Sequence, residues 1–210
     1  MSALTMSGTA ATGVALNGAA MSISCTPGTA SATADANGNY SLTVTGTTPC
    51  VISATANGMT LHSLAFAGGT FNTTPETELL LIYLAAQLGT TETGLIGGLP
   101  SNPQFQQVLA NSTDVLNAQS AVVANLQQRY TLTLSAPSFL TTPFTAGQPG
   151  VDSDLDALEK AGAIDSNGQP DPAAVSLMIT AGTAQAFPAP PTSTGGTGNS
   201  GGSGIGVGMM

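Results

Sequence analysis

Basic side chains are nearly missing from this chain. Its 210 residues carry one lysine, Lys160, and one arginine, Arg129, against eleven acids, for a net charge of −9. Displacing the counterions of a phosphate backbone takes clustered cations. Two scattered ones speak against nucleic acid and against anionic lipid as partners. Charged residues of both signs make up only 6% of the chain, where about 25% is usual. Such a surface must be wetted by Ser, Thr, Asn and Gly, a composition associated with secreted and surface-assembled β-proteins.

Other shortages exclude further classes. There is no Trp and aromatics are 4%, so an aromatic platform for stacking on sugars is disfavoured. The single imidazole, His62, is too little for a transition-metal site, which usually draws on several His or Cys ligands. The longest apolar run, Leu79 to Ala86, falls far short of the ~20 residues that span a bilayer. Met1 to Met6 lacks the basic start and apolar core of a signal peptide. A secreted reading therefore expects a leader already removed.

Two cysteines, Cys25 and Cys50, are present. Each sits on a stretch alternating apolar and polar residues, so Met21, Ile23 and Cys25 share one strand face, as do Cys50, Ile52 and Ala54. A pair placed this way can bridge neighbouring strands or the two layers of a sandwich, and a clamp between layers is the reading adopted. The alternative is two independent buried thiols. No His or Lys lies near either in sequence to activate a thiolate. If the cysteines pair, the chain is expected in an oxidising compartment. Closing a loop of 25 positions then stabilises the fold by about 3.5 kcal/mol in the chain-entropy picture.

Residues 4–73 read as short strands separated by turn signals, which argues for a β-sandwich. Asp35-Ala36-Asn37-Gly38 is one such turn, its Asn-Gly supplying positive φ. Between Met59 and Phe66 the alternation slips, and a bulge near His62-Ser63 would reconcile the two halves. At Thr74-Pro75-Glu76-Thr77-Glu78 the grammar becomes a helix start: an N-cap, a proline at the first position, and acids at the positive dipole end. The helix that follows is apolar all round, so burial on several sides is expected. Further helices are read over Ser101–Ala110, Ser112–Tyr130 and Val151–Ala161. The stripe of Val115, Leu116, Val122, Val123, Leu126 and Tyr130 is expected to pack on the Leu79–Ala86 helix. Ser138–Phe144 reads as a linker docked by two phenylalanines. Asp165-Ser166-Asn167-Gly168 reads as a turn leading to a strand over Ala174–Thr180, a small terminal hairpin. From Thr192 the chain is Gly/Ser-rich and reads as a flexible tail.

Several motifs invite chemistry and lose it on inspection. Gly198-Asn199-Ser200-Gly201-Gly202 matches a nucleophile elbow and the active-site serine segment of chymotrypsin-like proteases, but lacks the strand and helix an elbow needs. Asp152-Ser153-Asp154-Leu155-Asp156 resembles a calcium loop, yet Ala157 and Ala163 stand where that loop requires Gly and Glu. Residues two apart on a helix diverge by about 200°, so these acids read as an acidic helix start. Asp165 to Gly168 reads as a turn and not a calcium site. Asn39, Asn72 and Asn111 begin Asn-x-Ser/Thr triplets, expected by chance in so Thr-rich a chain. No catalytic, cofactor or metal residue is assigned.

Gly13-Val14-Ala15-Leu16-Asn17-Gly18-Ala19, the segment ending at Cys25, and Thr33-Ala34-Asp35-Ala36-Asn37-Gly38-Asn39-Tyr40-Ser41-Leu42 together resemble the carboxypeptidase regulatory-like (transthyretin-like) family. Ala15 stands where that family typically has proline. Thr73 to Leu79, Leu140 to Thr145 and the Asp154-Leu155-Asp156 stretch are similar to uncharacterised secreted bacterial proteins, often lipoproteins, that join this sandwich to a helical region. The resemblance implies a non-catalytic module at the cell exterior and carries over no functional residue. The expected architecture is thus α+β: a transthyretin-like or Ig-like sandwich (4–73), a mainly helical region with a terminal hairpin (74–191), and a tail (192–210). The expected role is a non-enzymatic, extracytoplasmic structural, adhesive or assembly protein, partnered by other proteins or by itself. Alternatives are a cell-surface carbohydrate- or peptide-binding module, and a hydrolase using paired carboxylates.

Overall fold

In the computed structural model, which describes residues 2–188, all strands precede all helices. The strands are β1 (Ser2–Thr9), β2 (Ala20–Ser24), β3 (Thr29–Thr33), β4 (Asn39–Gly46), β5 (Cys50–Ala56), β6 (Met59–Ala65) and β7 (Gly69–Thr70). The helices are α1 (Pro75–Gln87), α2 (Glu92–Gly98), α3 (Pro103–Ala110), α4 (Ser112–Tyr130), α5 (Val151–Lys160) and α6 (Pro172–Ala184). The architecture is α+β with two mostly antiparallel sheets, ordered β4-β1-β7 and β3-β2-β5-β6.

Alternation decides which face each strand buries. Met21 and Ile23 of β2, Tyr40, Leu42 and Val44 of β4, and Ile52 and Ala54 of β5 are buried in one shared core, while Ser22, Ser24, Ser41 and Thr43 face outward. Each large aliphatic side chain so buried stabilises the fold by about 1.5–3 kcal/mol. The β5–β6 hairpin turns on Asn57 and Gly58, with φ of 53° and 79°, the positive values a two-residue hairpin requires.

The expected bulge at His62-Ser63 is absent. β6 pairs with β5 without interruption from Ala56↔Met59 to Cys50↔Ala65. The slip in alternation has another cause. Leu61 and Ser63 face the shared core, while Leu64, on the opposite face, is buried as well because α1 packs on β6.

The disulfide is formed, with an S–S distance of 2.00 Å. It does not clamp two layers. Ser24 pairs with Val51, so Cys25 and Cys50 are the next positions along neighbouring antiparallel strands of a single sheet.

α1 is the axis of the helical part. Thr74 Oγ1 accepts from Thr77 N at 3.4 Å, and Thr77 Oγ1 accepts from Thr74 N at 2.9 Å, a reciprocal cap with Pro75 at the first position. Every residue from Pro75 to Ala86 is buried, because β6, α2, α4 and α6 all pack around this helix. α4 does meet α1, with Val115, Val122, Val123 and Leu126 buried but Leu116 of the expected stripe exposed, and α6 makes the more extensive contact.

That contact corrects the terminal hairpin. Asp171 accepts from Ala173 N at 2.8 Å and Pro172 opens a helix where a strand over Ala174–Thr180 was expected. Ala174, Met178 and Gly182 are its buried positions, a spacing of four that places one stripe on a helix. Only an isolated bridge, Ile164↔Pro170, remains of the pairing. Among the described residues no single helix is long and apolar enough to cross a membrane; α1 and α2 pass that test only together, bent by 81°. The tail, with Ser200 and the apolar Ile205-Gly206-Val207, lies outside the described residues.

Candidate functional site

The one imidazole of the chain lies at a junction of three elements. β6 is the last strand of its sheet, so alternate backbone groups along it have no strand partner. At His62 the first turns of α1 supply them: the backbone N–H donates to Glu78 Oε2, and the carbonyl accepts from Thr77 Oγ1 at 2.8 Å. A carboxylate and a hydroxyl thus stand in for a neighbouring strand, which closes this stretch of edge.

The side chains converge at the same place. His62 Nδ1 lies 3.2 Å from Glu78 Oε1 and 3.0 Å from Glu92 Oε1. Glu78 comes from the first turn of α1 and Glu92 opens α2, whose N-cap Thr91 accepts from Gly94 N at 3.1 Å. One ligand atom from each of the three residues falls within 4.8 Å of the others. Glu78 is nearly enclosed, while the His62 and Glu92 side chains keep 24% and 20% of their surface in solvent.

Charge explains the titration behaviour. Hydrogen bonding to Glu78, then to Glu92, holds the imidazole protonated and pushes His62 up to about 10. Burial pushes Glu78 up to about 7, against the pull of His62. Burial also works against ionising Glu92, but the bonds from His62 and Glu78 outweigh it and leave that carboxyl below its ordinary value. The cluster is a cation flanked by two acids.

In the sequence His62 has no visible partner, and the fold brings two. Glu78 reads there as favouring the helix dipole; it does sit near that end, but buried and turned onto β6. Glu92 has no role in the sequence reading. Thr91-Glu92-Thr93, a cap followed by an acid, was the available sign of a second helix start.

The three aspartates of α5 do not converge. Asp154 accepts from Ser135 N and Oγ and from Ala136 N at 2.7–2.9 Å, Asp152 from Gly147 N at 2.7 Å, and Asp156 points toward Gly13. Each serves a different segment, as helical geometry requires. Asp35 and Asp165 make twin turns. Each Oδ1 accepts two backbone N–H groups, from Asn37 and Asn39 and from Asn167 and Gln169, at 2.8–2.9 Å. Asn72 is fully buried and its amide serves two carbonyls, which removes it as a glycosylation acceptor. Thr12, Met59, Asp156, Glu159 and Asn167 line an open hollow of about 680 Å³.

No protein-family model, curated protein or solved structure matches the chain.

Proposed function

We propose that this protein is a non-enzymatic, extracytoplasmic structural module with a role in adhesion or assembly, built on a transthyretin-like β-sandwich. The observation that carries the reading is the Cys25–Cys50 bridge, a bond that persists in oxidising compartments and is rare in the cytosol. Two mostly antiparallel sheets that share one hydrophobic core are compatible with the sandwich that the sequence resemblance implies.

The buried polar groups support the same reading. Asn72, Gln119 and Thr9 bind backbone groups of the 139–144 loop, Asp154 binds residues 135–136, and Glu78 caps β6. Their hydrogen bonds tie strands, loops and helices together. Glu78 and Glu92 do meet, but on one imidazole nitrogen that lies within 3.2 Å of both. Assembly would use an open strand edge: β6 is covered at His62, whereas β3 pairs only with β2 within its sheet.

The test is a free-thiol count on unreduced protein isolated from its native cells, with cell fractionation alongside. The expected result is no titratable thiol and recovery outside the cytosol. Two open thiols, or a cytosolic pool, would overturn the assignment.

A further inference from the structure

We propose that His62, Glu78 and Glu92 form a binding site for one first-row divalent metal ion, of the zinc class, at the junction of β6, α1 and α2. The argument starts from proton counting. Two carboxylate oxygens approach the same ring nitrogen, at 3.2 and 3.0 Å, and that nitrogen carries at most one proton. The N–H serves Glu78. Glu92 Oε1, 3.0 Å from the same nitrogen, is buried and has no well-aligned donor of its own among the described residues. A single proton shared between two acceptors makes at best a bent, three-centred bond. A metal ion suits the arrangement better, because it accepts a lone pair from all three atoms at once.

The spacing fits. Ligands about 2.0–2.1 Å from one ion lie about 2.9 Å apart at right angles and about 3.3 Å apart at the tetrahedral angle. The two observed separations fall in that interval. An imidazole with carboxylates is a donor set for zinc and its neighbours, not a soft thiolate set and not the all-oxygen cage of calcium. The charges fit as well: neutral imidazole and two carboxylates offset a divalent ion.

The surroundings supply a second shell. The His62 backbone N–H holds Glu78 Oε2, which leaves Oε1 turned to the ring and orients the ligand. The partial exposure of His62 and Glu92 gives the ion an entry path and leaves positions for water. An ion bound there cross-links the edge of one sheet to two helices, so it stabilises the folded chain by mass action. This proposal stands apart from the structural role above and holds whether or not that role does.

The probe is Zn²⁺ alone, titrated into the full chain by calorimetry and against a competing chromophoric chelator. Wild type is expected to bind one ion, with a rise in melting temperature. Glu92→Gln is expected to weaken binding by about tenfold or more and abolish that rise. This variant is expected to keep its fold, since among the described residues the Glu92 carboxylate has no polar partner outside the cluster. Asp156→Asn and Glu159→Gln, in the separate hollow, are expected to bind as wild type does. As the chain has one imidazole, its ring proton resonances report unambiguously, and saturating Zn²⁺ must shift them. Unchanged His62 resonances, no saturable binding, or undiminished binding by Glu92→Gln would each overturn the site.

Discussion

Asn72 donates its side-chain amide to the carbonyl of Phe139 at 2.7 Å, joining the end of the strand region to a loop 67 residues further on. The same amide reaches the Thr142 carbonyl at 2.8 Å, and its oxygen accepts from Thr9 N at 3.2 Å. Its backbone N–H meets the Leu140 carbonyl as well. With the side chain fully buried, cutting it back leaves polar groups with no water to turn to, at about 1–3 kcal/mol each before relaxation. Asn72→Ala is expected to lower unfolding free energy by about 2–4 kcal/mol. Asn72→Asp is expected to lower it further, since a carboxylate would face two carbonyl oxygens. Urea denaturation of the purified variants measures both. Loss of less than ~1 kcal/mol from either would show that the loop is held by Phe139 packing alone.

The joint at Asn72 also marks what the sequence could and could not show. Strand periodicity made β2, β4 and β5 legible, because one face of each meets solvent and alternation survives. Cap residues made α1 legible, and the apolar spacing from Val115 to Tyr130 made α4 legible, although Leu116 within it is exposed. Where both faces are covered, periodicity fails. Leu64 lies under α1, and the lost alternation of β6 therefore read as a bulge. Ala174, Met178 and Gly182 are small or flexible residues whose spacing of four was masked by apolar neighbours, so α6 read as a strand. The His62 cluster was illegible for a different reason. Its members stand 16 and 14 positions apart, and only the packing of α1 across β6 aligns them.

Gly182 and Gly97 set two energies against each other. Alanine is the better helix former by about 0.8–1 kcal/mol. At Gly182, however, a β-carbon would lie 2.5 Å from the Tyr83 carbonyl oxygen and 2.8 Å from the Ala86 β-carbon, both in α1. Backbone cannot swing aside as a side chain does, so α6 would have to lift from α1, at about 1–3 kcal/mol. Gly182→Ala is expected to destabilise. Gly97, exposed in α2, has nothing within 4 Å of that position, and Gly97→Ala is expected to be stabilising by up to ~1 kcal/mol. Thermal melts of the two variants side by side give the comparison. If both variants melt higher than wild type, propensity and not close packing governs the α1–α6 contact.

The turn at Asp35 predicts one limb of the pH profile. The backbone N–H of Asn39 is the chief group holding the Asp35 carboxyl below its ordinary 3.8, aided by the Asn39 side chain and the Asn37 N–H. A group whose folded value is depressed stabilises the protein fully above the unfolded value, and loses that contribution as pH falls through the folded one. Asp35→Asn keeps an acceptor oxygen but no charge. It is expected to be less stable than wild type at pH 7, with the gap closing as pH drops below the unfolded value. Denaturation midpoints taken from pH 7 down to pH 2 follow it. A gap that stays constant across that range would mean the loss is steric. Asp165, bound in the same pattern with Gln169 its principal donor, is expected to behave alike.

Glu76 is where burial and the helix dipole compete most sharply. It occupies the second position of α1, where a negative charge gains about 0.3–1 kcal/mol from the dipole. It is also wholly buried, and neither carboxylate oxygen has a hydrogen-bond partner among the described residues. Burial, and then the nearby Asp154 carboxylate, raise its carboxyl well above the ordinary range. Desolvating an unpaired carboxylate outweighs a dipole term of that size several times over. Glu76→Met fills a similar volume without the charge and is expected to raise stability at pH 7 by about 1–3 kcal/mol. Asp154→Asn would relieve part of the same repulsion, but gives up a charged acceptor for the Ser135 and Ala136 backbone N–H groups, so it is expected to destabilise. Chemical denaturation of Glu76→Met decides between the two energies. A clear loss of stability would mean that the dipole, or a partner held through water, dominates at this position.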